Sequence, residues 1–105
     1  MRLQSADSFA DTLARLRAAL ESHGFTIFAV IDHQAAAQAV GLAMPPTTVL
    51  IYGNPKGGTP LMLAAPDFAL ELPLRVLVRE ERGRAIVVFN PSAGFEGSHG
   101  LPAGM

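Results

Sequence analysis

The sequence contains no cysteine. That absence excludes disulfide bonds, thiolate metal sites, iron–sulfur clusters and a cysteine nucleophile. Charged residues are also scarce, at 16% of the chain, whereas hydrophobic residues make up 50% of its 105 residues. A domain of this size buries only about two-thirds of its unfolded surface, so part of the apolar surface must stay exposed or meet another chain. We therefore expect one globular domain that forms a homodimer.

The chain lacks a strong excess of charge of either sign. Eight Lys and Arg residues stand against nine Asp and Glu residues, which gives a net charge of −1. Proteins that bind nucleic acids need a basic surface to neutralise phosphates, so we expect no nucleic-acid partner. No apolar run approaches the roughly 20 residues that cross a bilayer, and the first residues do not resemble a signal peptide. The sequence therefore predicts a cytoplasmic protein without a membrane partner.

The spacing of apolar residues predicts the secondary structure. Apolar residues recur every three or four positions from Phe9 to Leu20, which predicts a helix. Ser8 would cap its start and Gly24 would end it. Residues 25–31 are apolar on both alternating faces, which favours a strand near the middle of a sheet. The further predicted elements are a helix over 33–40, a strand over 47–52, an irregular loop over 53–60, a short helical piece over 61–65, and strands over 74–80 and 85–90 joined by a tight turn.

The order of these elements predicts an α+β fold. A roughly four-stranded, mostly antiparallel sheet with helices packed on one face satisfies that order. Residues 1–105 form a single domain in this interpretation. Residues 91–105 have little periodicity, so they are predicted to form a loop or a mobile tail.

Several segments together resemble a known family. They are Ile31-Asp32-His33 with the alanine-rich stretch after it, 46–55, 58–62, 72–78 and His99-Gly100-Leu101. Over nearly its whole length the sequence is similar to the domain of unknown function 302 family. The resemblance implies a TATA-binding-protein-like two-layer α+β sandwich that tends to form dimers. The family name assigns no activity.

The segment between Gly53 and Thr59 is the first candidate binding site. It follows a strand and precedes a helical piece, where backbone amides can hold an anion, and it includes Asn54, Lys56 and Gly58. Its spacing is close to that of a phosphate-binding loop, but the lysine that should follow Gly58 is missing. Two prolines also remove amide donors. The alternative is a rigid turn that sets the strand against the helix.

Asp32 and His33 form the second candidate site, at the start of the short helix. A helix N-terminus disfavours a protonated imidazole, so a neutral His33 could act as an acid, a base or a ligand. The alternative is that Asp32 simply caps the helix and His33 is exposed. We hypothesise that His33 and His99 converge with Asp32 or Glu96 on a metal ion or a small polar ligand.

Two functions follow from these observations. The first is a homodimeric binding module for a small ligand or a partner, which the apolar composition and the lack of catalytic motifs favour. The second is a small metal- or haem-handling protein or enzyme that uses His33 and His99. The sequence identifies no cofactor and leaves open whether the protein is an enzyme. Tyr52 is interpreted as ordinary polarity at the end of a strand.

Overall fold

The computed structural model describes residues 1–89, except for the side chain of Glu71. The tail predicted over 91–105 lies outside these residues. The elements are β1 (Arg2–Gln4), α1 (Phe9–Ser22), β2 (Thr26–Asp32), α2 (His33–Ala39), β3 (Thr47–Gly53), α3 (Pro55–Ala64), a 3₁₀ helix (Pro66–Glu71), β4 (Leu74–Glu81) and β5 (Arg84–Phe89).

The five strands form one sheet in the order β1-β5-β4-β3-β2, and each neighbouring pair is antiparallel. The predicted α+β fold with an antiparallel sheet is confirmed. The prediction of four strands missed β1, in which Leu3 pairs with Val87. The backbone N–H of Phe89 also donates a hydrogen bond of 2.9 Å to the carbonyl of Met1. A strand of three residues is too short to show the alternating pattern that reveals longer strands.

β2 lies at the edge of the sheet, so its predicted place near the middle is wrong. Among the described strands it pairs only with β3, and a bulge interrupts that pairing between Ile27 and Ala29. Phe28 and Ile31 are 54% and 40% exposed. The prediction failed because apolar residues on both sides of a strand usually indicate two covering layers, whereas here they line an exposed edge.

The two faces of the sheet differ in burial. Leu50, Val76 and Val78 are at most 4% exposed, and we call the face that they and their direct partners form the inner face. The alternate residues of the same strands, such as Val49 and Leu77, form the outer face and are half-exposed. Helix α1 contacts β2, β4 and β5 and packs over the inner face. The main core therefore lies between α1 and the inner face.

The predicted ends of α1 and of the β4–β5 turn are confirmed. Ser8 caps α1, since its Oγ accepts a hydrogen bond of 3.1 Å from the backbone N–H of Asp11. Gly24, with a φ of 86°, follows the last turn of the helix. Arg82 and Gly83 join β4 to β5 with φ values of 53° and 77°. Two consecutive positive φ values are what a tight two-residue hairpin requires.

The irregular loop predicted over 53–60 is wrong, because most of it belongs to α3. Asn54 caps this helix, and its Oδ1 accepts hydrogen bonds from the backbone N–H groups of Lys56 at 3.0 Å and Gly57 at 3.4 Å. Pro55 takes the first helical position, where the missing amide hydrogen costs nothing. The cap thus starts a helix in a segment whose glycine and proline content favours a turn.

A second, smaller core lies where α3 meets the 3₁₀ helix. Phe68 is 1% exposed and packs with Ala65, and Leu61 and Leu72 lie against this pair. Leu70, from the same 3₁₀ helix, is 82% exposed. The segment between β3 and β4 therefore has a small core of its own around one buried aromatic ring.

Candidate functional site

The structure does not bring the two predicted binding segments together. In the β2–β3 pair, Thr26 lies opposite Gly53, whereas Asp32 lies opposite Thr48. Asp32 and His33 are therefore at one end of the strand pair, and the segment that begins at Gly53 is at the other. Six residues of strand separate the two ends, which corresponds to about 20 Å. A single site cannot include both.

Asp32 and the backbone amides after Asn54 already form hydrogen bonds within the chain. Asp32 caps α2, since its Oδ1 accepts a hydrogen bond of 2.9 Å from the backbone N–H of Ala35. The N–H of Gly58, which the predicted anion site needs, donates to the carbonyl of Asn54 at 2.7 Å. Lys56 and Thr59 are exposed. This geometry favours the structural interpretation of both segments, as helix caps.

The metal hypothesis stays a prediction. His99 and Glu96 lie outside the described residues. Within residues 1–89, no three His, Asp or Glu side chains are grouped closely enough to hold a metal ion. His33 is exposed at the start of α2.

The structure contains a site that the sequence analysis did not identify, a cavity between α1 and the inner face. Its volume is about 440 Å³. Pockets that bind small molecules and cofactors usually measure about 300–1,000 Å³, so this one is large enough for a ligand. The cavity is lined by Leu3, Gln4, Ser5, Thr12, Leu16, Leu20, Tyr52, Val76, Val87 and Phe89.

Two hydroxyl groups make one wall of the cavity polar. The Thr12 hydroxyl donates a hydrogen bond of 2.7 Å to Ser5 Oγ, which also accepts one of 3.1 Å from the backbone N–H of Asp7. Thr12 is 8% exposed, although it is polar, because Ser5 satisfies its hydroxyl. The pair fixes the start of α1 beside β1.

Tyr52 is the second polar feature of the cavity. Its ring meets the ring of Phe25 edge to face, with 5.3 Å between ring centroids and an angle of 84°. The Tyr52 hydroxyl, like that of any tyrosine, is protonated at neutral pH and can donate a hydrogen bond, and burial raises its pKa further. No residue from 1 to 89 forms a hydrogen bond with that hydroxyl. One signal in the sequence could have identified it: Tyr52 is the only tyrosine of the chain and ends an apolar strand.

The sequence matches the family described as Domain of unknown function DUF302 over residues 1–104. The chain belongs to the DUF302 family. The predicted resemblance is thus confirmed. A crystal structure of an uncharacterized conserved DUF302 protein from Bacillus stearothermophilus has the same fold as this DUF302 domain, with a TM-score of 0.77. The two chains share 20% sequence identity, and the likeness covers 83% of this chain and 69% of the other.

Curated relatives of this DUF302 domain are named as fluoride-specific ion channels. FluC 1 from Brucella suis biovar 1 is 37% identical over 100 residues, which cover 94% of this chain and 39% of the relative. FluC 2 from Brucella melitensis biotype 1 is also 37% identical over 100 residues, with 94% and 37% coverage. The DUF302 domain thus spans about two fifths of the length of these relatives.

These relatives overturn the prediction of a protein without a membrane partner. Ion channels are membrane proteins, and the matched stretch belongs to chains that bear that name. The prediction was wrong because it considered only the apolar runs of this chain. Within residues 1–89, no helix is long and apolar enough to cross a membrane.

Proposed function

We propose that this DUF302 domain is a binding module that holds a small apolar molecule between α1 and the inner face. The cavity of about 440 Å³ carries the proposal. Six of its ten lining residues are Leu, Val or Phe, so an apolar molecule gains free energy when it leaves water for this site. Helix α1 and the inner face line opposite sides of this cavity.

Tyr52 determines which polar group such a molecule would carry. Its hydroxyl is protonated and lines an otherwise apolar wall, so it can donate a hydrogen bond to a carbonyl or ether oxygen. A buried oxygen without that bond would cost free energy. The site therefore suits an uncharged molecule with an apolar body and one hydrogen-bond acceptor, such as an aromatic ketone.

A neutral fluorescent ketone tests this function directly. We expect the naphthalene ketone prodan to bind, with a blue-shifted emission, and Leu16→Trp to weaken binding by at least tenfold because the larger ring fills the cavity. Fluorescence titration measures the affinity. Leu63→Trp on α3 is the control, since Leu63 is 78% exposed and does not line the cavity, and it should change the affinity less than twofold.

A second variant examines the hydrogen bond. Tyr52→Phe keeps the ring but removes the donor, and a lost hydrogen bond of about 1 kcal/mol corresponds to a roughly fivefold weaker affinity. The emission should shift further to the blue, because the ketone oxygen loses its donor. Equal prodan affinity in the wild type and Leu16→Trp would disprove the cavity as the binding site.

The curated relatives favour a second candidate function, that of an accessory domain of a fluoride channel. We propose that the 100 residues matched in the Brucella proteins modulate fluoride transport and that this chain can supply the same activity. In proteoliposomes that contain the Brucella suis relative without those residues, we expect fluoride efflux to change at least twofold. Addition of this chain should restore the original rate, as measured with a fluoride electrode. Identical efflux with and without the matched residues would argue against this function.

A further inference from the structure

The outer face of the sheet carries a row of apolar residues, none of which lines the proposed ligand cavity. The row contains one residue from each of four neighbouring strands, and each residue pairs directly with the next: Val88, Leu77, Val49 and Ile31. Directly paired residues share a face, so the row spans about 14 Å across the sheet. Phe28 extends it at the edge, because its Cε2 lies 3.0 Å from the position that a Cβ on Gly53 would occupy.

The middle of this row is more exposed than the middle of the inner face. On the same strands, Leu50 and Val78 face inward and are 0% exposed. Leu77 and Val49 of the outer row are half-exposed, and Ile31 at its end is 40% exposed. Contiguous exposed apolar patches are typical of surfaces that bind a membrane or another protein.

Arginines flank the part of the outer row that lies on β4 and β5. Arg2 pairs with Val88 at one end of it, and three more arginines project from the same face of β4 and β5: Arg75, Arg79 and Arg84. Glu81 is the one carboxylate on the paired strand residues of this face, and its Oε2 accepts hydrogen bonds of 3.1 Å from Arg2 and Arg79. The outer face is therefore positively charged, although the whole chain has a net charge of −1.

We propose that the outer face docks on the surface of an anionic membrane, with the apolar row at the acyl-chain boundary and the arginines on lipid phosphates. Arginines beside an apolar patch match the charge of such a surface. A second copy of the chain is a poor occupant of this face, because two positive faces would repel each other. The arginines are spread over three strands, which suits an array of phosphates better than one carboxylate of a protein partner.

Sedimentation with lipid vesicles tests the proposal. We expect the full chain to bind vesicles of phosphatidylcholine and phosphatidylglycerol (3:1) in 20 mM NaCl, at least tenfold more tightly than vesicles of phosphatidylcholine alone. Salt at 300 mM should weaken that binding, because it screens exposed charges. Arg84→Glu and Arg75→Glu should each reduce binding at least fivefold. Arg17→Glu on α1, which makes the same change of charge on the other side of the molecule, should change it less than twofold.

A second pair of variants tests how much the outer row contributes to membrane binding. Ile31→Ser should weaken binding to the anionic vesicles at least threefold, whereas Val40→Ser, at a residue that is 72% exposed outside the sheet, should leave it unchanged. Two results would overturn the proposal. One is equal binding by the Arg17→Glu and Arg84→Glu variants. The other is a lack of binding to anionic vesicles at low salt, which would point instead to an acidic protein surface.

Discussion

Replacement of Phe68 by alanine is expected to lower the free energy of unfolding by about 3–5 kcal/mol, because it removes a fully buried aromatic ring. Phe68 is 1% exposed and lies at the centre of the smaller core with Ala65. Domains of this size are stable by roughly 5–15 kcal/mol in total, so one side chain accounts for a large share. Urea denaturation followed by circular dichroism measures the change.

Leu70→Ala provides the control within the same 3₁₀ helix. Leu70 is 82% exposed, so the variant should change stability by no more than about 0.5 kcal/mol. A small loss for Phe68→Ala would mean that the ring of Phe68 is not buried in solution.

Leu50→Ala is expected to cost about 2–5 kcal/mol, since Leu50 is 0% exposed on the inner face. Leu77→Ala makes the same deletion on the half-exposed outer face and should cost about 1 kcal/mol or less. The measurement is again urea denaturation, without lipid. Equal costs for the two variants would contradict the difference in burial and would show that the outer face is covered in the protein alone.

The sequence predicted the fold where local patterns are strong. The stripe from Phe9 to Leu20 and the hairpin turn at Gly83 depend on spacing and backbone geometry, so both appear in the structure. β1 is not predicted because three residues are too few to show an alternating apolar pattern. α3 is not predicted because its prolines and glycines favour a turn, whereas the Asn54 cap stabilises a helix there. The edge position of β2 depends on strand order, which no local pattern encodes.

The candidate site was less predictable. The residue types of His33 and of the segment after Gly53 often bind ligands, which predicts a site at each, but strand register places them at opposite ends of β2 and β3. The cavity brings together residues from β1, α1, β3, β4 and β5, so only the tertiary structure reveals it. Tyr52 was interpreted as strand-end polarity because its neighbours in space are not its neighbours in sequence.

The strand order also has a kinetic consequence. β2, β3, β4 and β5 pair with their neighbours in the chain, but β1 joins β5 from the opposite end of the sequence with only three residues. Leu3 of β1 lines the cavity and is 52% exposed, so release of this short strand would remove one side of the site while the other four strands stay paired. Local opening of one short strand is far faster than global unfolding, so the proposed site would lose part of its lining while the domain stays folded.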